Sequence, residues 1–102
     1  MFATLLQNAT APTDGADILN EPHMKTYQAS GVTTAGAGAA VVQVQGQVDP
    51  TGAWDTIGEI TLTLGTTRTS DSFTSEDRYI RIRGRVVSIS GTGASVNMVM
   101  GA

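Results

Sequence analysis

Apolar and polar residues alternate along most of the chain with the period of strands, and no window carries the i, i+3, i+4, i+7 spacing of an amphipathic helix. In Ala40–Val48, Val42, Val44 and Val48 share one phase and Gln43, Gln45 and Gln47 the other. That predicts a strand with one buried face and one wet or interfacial face. Trp54–Leu64 carries Trp54, Thr56 and Gly58 in one phase, with Ile60, Leu62 and Leu64 continuing it; Ile57 is out of step, and Gly58 marks a bulge or bend. In Arg78–Ser90, Ile80, Ile82 and Val86 are in phase, whereas Val87 and Ile89 are not. A bulge near Val86-Val87 reconciles the two sets, because an unbroken strand cannot turn both inward. Val96, Met98 and Met100 line one face of a last strand, Ala94–Met100, and His23–Ser30 reads as a further strand.

Turn chemistry separates these runs. Asp49-Pro50-Thr51-Gly52 puts proline second and glycine fourth in a turn. Ser90-Gly91-Thr92-Gly93 is another turn. Gly31–Gly38 reads as a small-residue loop, and Gly65–Asp77 as a polar loop with Phe73 reaching back to the core. Gly36–Gly46 weakly echoes Gly91–Gly101, each a glycine turn feeding a strand. The first twenty-odd residues differ. Phe2–Gln7 suits a short strand, and Asn8–Gly15, polar with a proline at Pro12 and an Asp14-Gly15 pair, suits a turn or an extended arm.

Six to eight short strands with Gly-rich turns predict an all-β fold: a single antiparallel β-sandwich, jelly-roll or immunoglobulin-like, with an extended N-terminal arm. The division is 1–22 for the arm or edge strand and 23–102 for the sandwich. The expected core is Val42, Val44, Trp54, Ile60, Leu62, Ile80, Ile82, Val96 and Met98. Phe2, Leu5 and Leu6 on the arm are expected at an interface.

Composition narrows the chemistry. With 102 residues there is room for one domain; 40% hydrophobic and only 15% charged residues argue against disorder along the whole length. There is no cysteine, so disulfides and thiolate metal sites are excluded. Met1–Leu6 lacks the basic start of a signal peptide, and no run approaches the roughly 20 apolar residues of a membrane span. The net charge of −3 opposes a general nucleic-acid binder. His23 is the single histidine, which leaves little for a catalytic triad or a two-histidine metal site. The acids are scattered and lack EF-hand spacing, and Gly31–Gly38 lacks the Gly-Lys-Ser/Thr ending of a P-loop. No enzyme, metal or cofactor is expected.

One surface feature stands out. Arg81, Arg83 and Arg85 alternate along one strand, with Tyr79 in the same row. Three readings compete: a solvated face neutralised by the acidic run 71–77, an interface with acidic protein neighbours, and a nucleic-acid groove that the acidic pI opposes. The Gln43, Gln45, Gln47 row suits a subunit contact or plain polar surface.

The run Gly46-Gln47-Val48-Asp49-Pro50-Thr51-Gly52-Ala53-Trp54-Asp55-Thr56-Ile57-Gly58 resembles a turn-and-tryptophan signature of small structural proteins of tailed phages and prophages. The Thr/Leu strand Ile60–Leu64, the segment Thr69–Phe73, Tyr79-Ile80-Arg81 and Ser88-Ile89-Ser90-Gly91-Thr92-Gly93-Ala94 follow in the same order. This chain departs from it by Gln47 and by the longer Asp49–Gly52 turn. The resemblance spans about residues 25 to 101. It implies a β-sandwich virion component, made in the bacterial host cytoplasm and placed on the outer surface of the head. There it would act as a capsid decoration (cement) protein bound to the major capsid protein, as a homo-oligomer, trimers above all, with no nucleic-acid or membrane partner. Other virion roles (head completion, tail or fibre) and a carbohydrate-binding module with Trp54 and Tyr27 or Tyr79 as stacking rings are the alternatives.

Overall fold

A computed structural model describes residues 2–20, 24–49, 51–76 and 79–101; the Phe2 side chain, His23, Pro50, Asp77 and Arg78 lie outside the described residues. The chain runs β1 (Phe2–Ala9), β2 (Thr13–Asp14), β3 (Ile18–Leu19), β4 (Met24–Val32), β5 (Ala35–Gln47), β6 (Asp55–Leu64), β7 (Thr69–Glu76), β8 (Arg81–Thr92) and β9 (Ser95–Gly101). Two antiparallel sheets pack face to face as a β-sandwich, with no helix among the described residues. One sheet has the order β1-β9-β4-β7. The other has the order β2-β8-β5-β6, with β3 also pairing β8. Successive strands mostly change sheet, and β5–β6 is a hairpin within one.

Alternation sets the core. Val42 and Val44 on β5, Ile60, Leu62 and Leu64 on β6, and Ile82 and Val86 on β8 face Tyr27 and Ala29 on β4 and Val96, Met98 and Met100 on β9, all nearly sealed from water. Each fully buried side chain of this size contributes about 1.5–3 kcal/mol. Lys25 continues the inward row of β4 and is buried and partnered. Both anticipated bulges are present. Val41 pairs Ser88 while Val42 pairs Val86, so Val87 is the extra residue, turned outward, and Ile89 returns to the core side. Gln45 pairs Thr56 while Val44 pairs Gly58, so Ile57 is the extra residue on β6 and packs against the core from the opposite phase. Where β8 turns into β9, Gly91 (117°), at the end of β8, and Gly93 (62°) take positive φ, a region that a side chain would strain.

Several expectations fail for physical reasons. Gly31–Gly38 is not a loop: β4 and β5 run through it, leaving a two-residue connection at Thr33-Thr34. A Cβ at Gly31 would press into Leu64 and Val96, so packing, not flexibility, demands the glycine. Gly65–Asp77 is mostly β7, paired residue for residue with β4 from Met24↔Glu76 to Gly31↔Thr69. Phe73 does reach the core, its ring centroid 5.2 Å from that of Tyr27. Ile80 and Val48 are exposed: Val48 lies just past the end of β5 and Ile80 just before the start of β8. Trp54 is only half-buried and lies outside the core cluster. Leu5 and Leu6, expected at an interface, are both core residues: β1 pairs β9 with a register shift between Thr4 and Leu6, which lets two consecutive leucines pack inward. The N-terminal segment pairs with both sheets, β1 on β9 and then β2 and β3 on β8.

Candidate binding face

The outward face of the β8-β5-β6 sheet is a grid set by strand register. Gln47 pairs Arg81, Gln45 pairs Arg83 and Thr56, and Gln43 pairs Arg85 and Glu59. Each row therefore brings a guanidinium beside an amide, and the two inner rows add a hydroxyl or a carboxylate beyond it. Arg83 Nε donates to Gln45 Oε1 at 2.9 Å, and Gln43 Nε2 donates to Glu59 Oε2 at 2.9 Å. Thr56 Oγ1 and Gln45 Nε2 each lie 3.5 Å from Gln43 Oε1, at the limit of a bond.

Trp54 covers the middle of this grid. The Arg83 guanidinium carbon lies 4.2 Å from its ring centroid, a cation–π contact. Gln47 Nε2 donates to Gly52 O at 2.8 Å, which ties down the turn leading to Trp54. The turn has the expected bond, Gly52 N to Asp49 O at 2.8 Å, and Asp49 Oδ1 accepts from Thr51 N at 3.0 Å and Thr51 Oγ1 at 3.1 Å. Those two bonds, the backbone one first, hold the Asp49 carboxyl below the usual aspartate value. Gln45 (5% exposed) and Gln47 (6%) are buried, against the expectation of an open glutamine row; Gln43 alone is partly open.

The arginine row is neutralised from an unexpected side. Arg81 Nη1 lies 3.1 Å from Asp17 Oδ2, and Asp14 sits 3.6 Å from both Arg83 Nη1 and Arg85 Nε. The acidic run, with Asp71 and Glu76 on β7, belongs to the other sheet. The counter-ions come instead from β2 (Asp14) and the connection from β2 to β3 (Asp17), on the edge beside β8. Three cations face three anions, Asp14, Asp17 and Glu59, so the face is close to neutral. The pairs are half-exposed, worth roughly 0.2–1 kcal/mol each. Tyr79 is not in the arginine row: it precedes β8, and its ring lies over Gly46 on the inward side. Nothing in the sequence alone signals that Asp14 and Asp17 meet the arginines, since the partners are 64 residues apart for Arg81 and Asp17.

No family model, no curated protein and no solved structure matches the chain. The chemistry of its surface therefore rests on the residues themselves. Among the described residues, no group of three or more His, Cys, Asp or Glu comes together in a way that could hold a metal ion. A groove of about 330 Å³ opens between Thr4–Ala9 of β1 and Thr13, Gly15 and Ala16, and no titratable side chain lines it.

A second feature escapes a reading of the sequence. Leu19 (70% exposed), Val48 (62%), Met24 (58%) and Ile80 (49%) all lie at one end of the sandwich, where β3 and β5 finish and β4, β6 and β8 begin. Alternation assigns Val48 and Ile80 to the core, but they lie just past the end of β5 and just before the start of β8 and are exposed.

Proposed function

We propose that the chain is a non-enzymatic structural protein of a tailed-phage particle, a decoration (cement) protein that binds the major capsid protein on the outer surface of the head and reinforces the shell. The supporting observation is strand order. With β2 and β3 taken as two halves of one edge strand, the sandwich has eight strands, in sheets ordered first-eighth-third-sixth and second-seventh-fourth-fifth. That order supports a jelly-roll reading, a double Greek key, and jelly rolls recur in viral capsid proteins and lectins. The signature tryptophan, Trp54, then lies on one outward face, stacked on Arg83 rather than spent in the core. Trp and Arg are the side chains most often found at the centre of protein interfaces. Copies associate on the shell as homo-oligomers, trimers above all.

Because fold alone does not fix a role, the test is location. Antibody labelling of purified particles should place the protein on heads, and the purified protein should co-sediment with particles lacking it. Absence from particles, or label on tails or fibres, defeats the reading. A sugar-binding sandwich is the second reading, favoured by the Trp54 ring on an outward face. A titration of Trp54 fluorescence with neutral oligosaccharides separates the two.

A further inference from the structure

The end of the sandwich that carries Leu19, Val48 and Ile80 has no counterpart elsewhere among the described residues. Of the large apolar side chains that are exposed, only Val87 lies away from it. The three are neighbours across strands: Ile80 N donates to Gln47 O at 2.9 Å, and Asn20 N donates to Ile80 O at 2.8 Å. Segments 19–20, 79–80 and 47–48 thus lie side by side. Exposed apolar side chains scattered singly are ordinary, but gathered ones mark a contact surface. Asp55, paired with Gly46, and Asp49, next to Val48, stand at the same end, beside Asp17 and Glu76, which already have partners. Of the described cations there, Arg81 is paired with Asp17 and Lys25 is buried.

We propose that the protein attaches to the shell end-on, with Leu19, Val48 and Ile80 seated on an apolar patch of the capsid protein that is rimmed by basic residues. This rests on the decoration reading. The acidic rim decides the partner. A second copy meeting this end would oppose acids with acids, and a nucleic acid would be repelled, whereas a basic rim is complementary.

Size sets a further requirement. The body measures 41 × 25 × 17 Å, and β5, thirteen residues long, runs along the long axis. The tip therefore offers roughly 400 Å², about half of what one partner contributes to a standard interface. Leu19 pairs with Arg81, which begins the grid under Trp54, so the footprint continues from the tip onto the Trp54 face.

The experiment is co-sedimentation of purified protein with particles that lack it. Wild type should pellet, less so as salt is raised. Leu19→Ser with Val48→Ser, both solvent-exposed changes that leave thermal stability within a few degrees, should weaken binding by about tenfold or more. Asp49→Asn with Asp55→Asn, which preserves the turn, should flatten the salt dependence. If wild type pellets and the serine variant pellets equally well, or if the asparagine variant keeps the full salt dependence, end-on attachment is wrong while the decoration reading stands. If wild type does not pellet, both fall.

Discussion

Replacing Gly15 by alanine tests whether the N-terminal segment belongs to the sandwich or is an arm that acts elsewhere. Gly15 lies between β2 and β3, where the edge of one sheet meets the edge of the other. Its N–H donates to Gly84 O at 2.7 Å. A Cβ at Gly15 would fall far inside contact distance of the Leu5 carbonyl oxygen and 3.2 Å from both Gly84 O and Leu6 Cδ2. Two of the three obstructing atoms are backbone, so no rotamer change relieves the clash, and β1 must move away from β8. Overpacking a well-filled site costs about 1–3 kcal/mol. With backbone on two sides the upper end applies, and disturbing the Gly15–Gly84 bond adds about 1 kcal/mol. At about 4–8 °C per kcal/mol for a domain near this size, thermal unfolding followed by circular dichroism should show a fall of about 16 °C or more. Gly65→Ala is the control: nothing lies within 4 Å of the added methyl, and its effect should stay within about 1 kcal/mol in either direction, a gain arising through the unfolded chain. A Gly15→Ala protein melting within about 2 °C of wild type would refute the docked segment and restore the free arm.

Three further outcomes follow from named contacts. Arg83→Ala should red-shift the emission of Trp54, the chain's single tryptophan, by opening the covered ring face, and should cost about 0.5–1 kcal/mol; an unchanged spectrum would deny the stack. Ile82→Ala should cost about 2–5 kcal/mol in urea unfolding, whereas Ile80→Ala, two residues earlier and half-exposed, should cost under about 1 kcal/mol; equal effects would deny that Ile80 lies outside the core. The Asp49 carboxyl should titrate below an ordinary aspartate by NMR. Because its folded value is depressed, its support of the turn is complete above the unfolded aspartate value and is lost as pH falls through the folded one. Loosening of the Gly52 amide at pH values well above that range would contradict the Asp49–Thr51 bonds.

Much of the fold is readable because alternation marks strands that bury one face. β5, β6, β8 and β9 carry apolar residues in phase, and the two phase breaks at Ile57 and Val87 mark their bulges. β7 is not readable: an edge strand that commits one aromatic, Phe73, to the core has no hydrophobic period, and Thr-Ser-Asp-Ser reads as loop. The start of β5 is hidden for a different reason: Gly36 sits at positive φ (70°) and Gly38 lies against Ser90 O, so its glycines resemble turn residues. The candidate face is half readable. Register along β8 puts Arg81, Arg83 and Arg85 in one row, but what covers and neutralises them arrives from Trp54, Asp14 and Asp17, through contacts that only the closed sandwich creates.

That neutralisation changes what the arginine row can do. A free stripe of three guanidinium groups would draw acidic partners from a distance and release them in salt. Here Arg83 is held by Gln45, Trp54 and Asp14 together, and Arg81 and Arg85 each face a carboxylate. To bind an acidic surface, the row would first have to give up these partners, gaining little on exchange. The same arrangement fixes the side chains in advance, so the face loses little rotamer freedom when a partner covers it. In the proposed attachment, its part would be shape and hydrogen bonding around a rigid tryptophan, and long-range attraction would come from Asp49 and Asp55 at the end of the sandwich. Charge reversal at Arg85 should accordingly leave the rate of attachment to particles nearly unchanged, whereas charge reversal at Asp55 should slow it; the opposite pattern would return the arginine row to the role of electrostatic anchor.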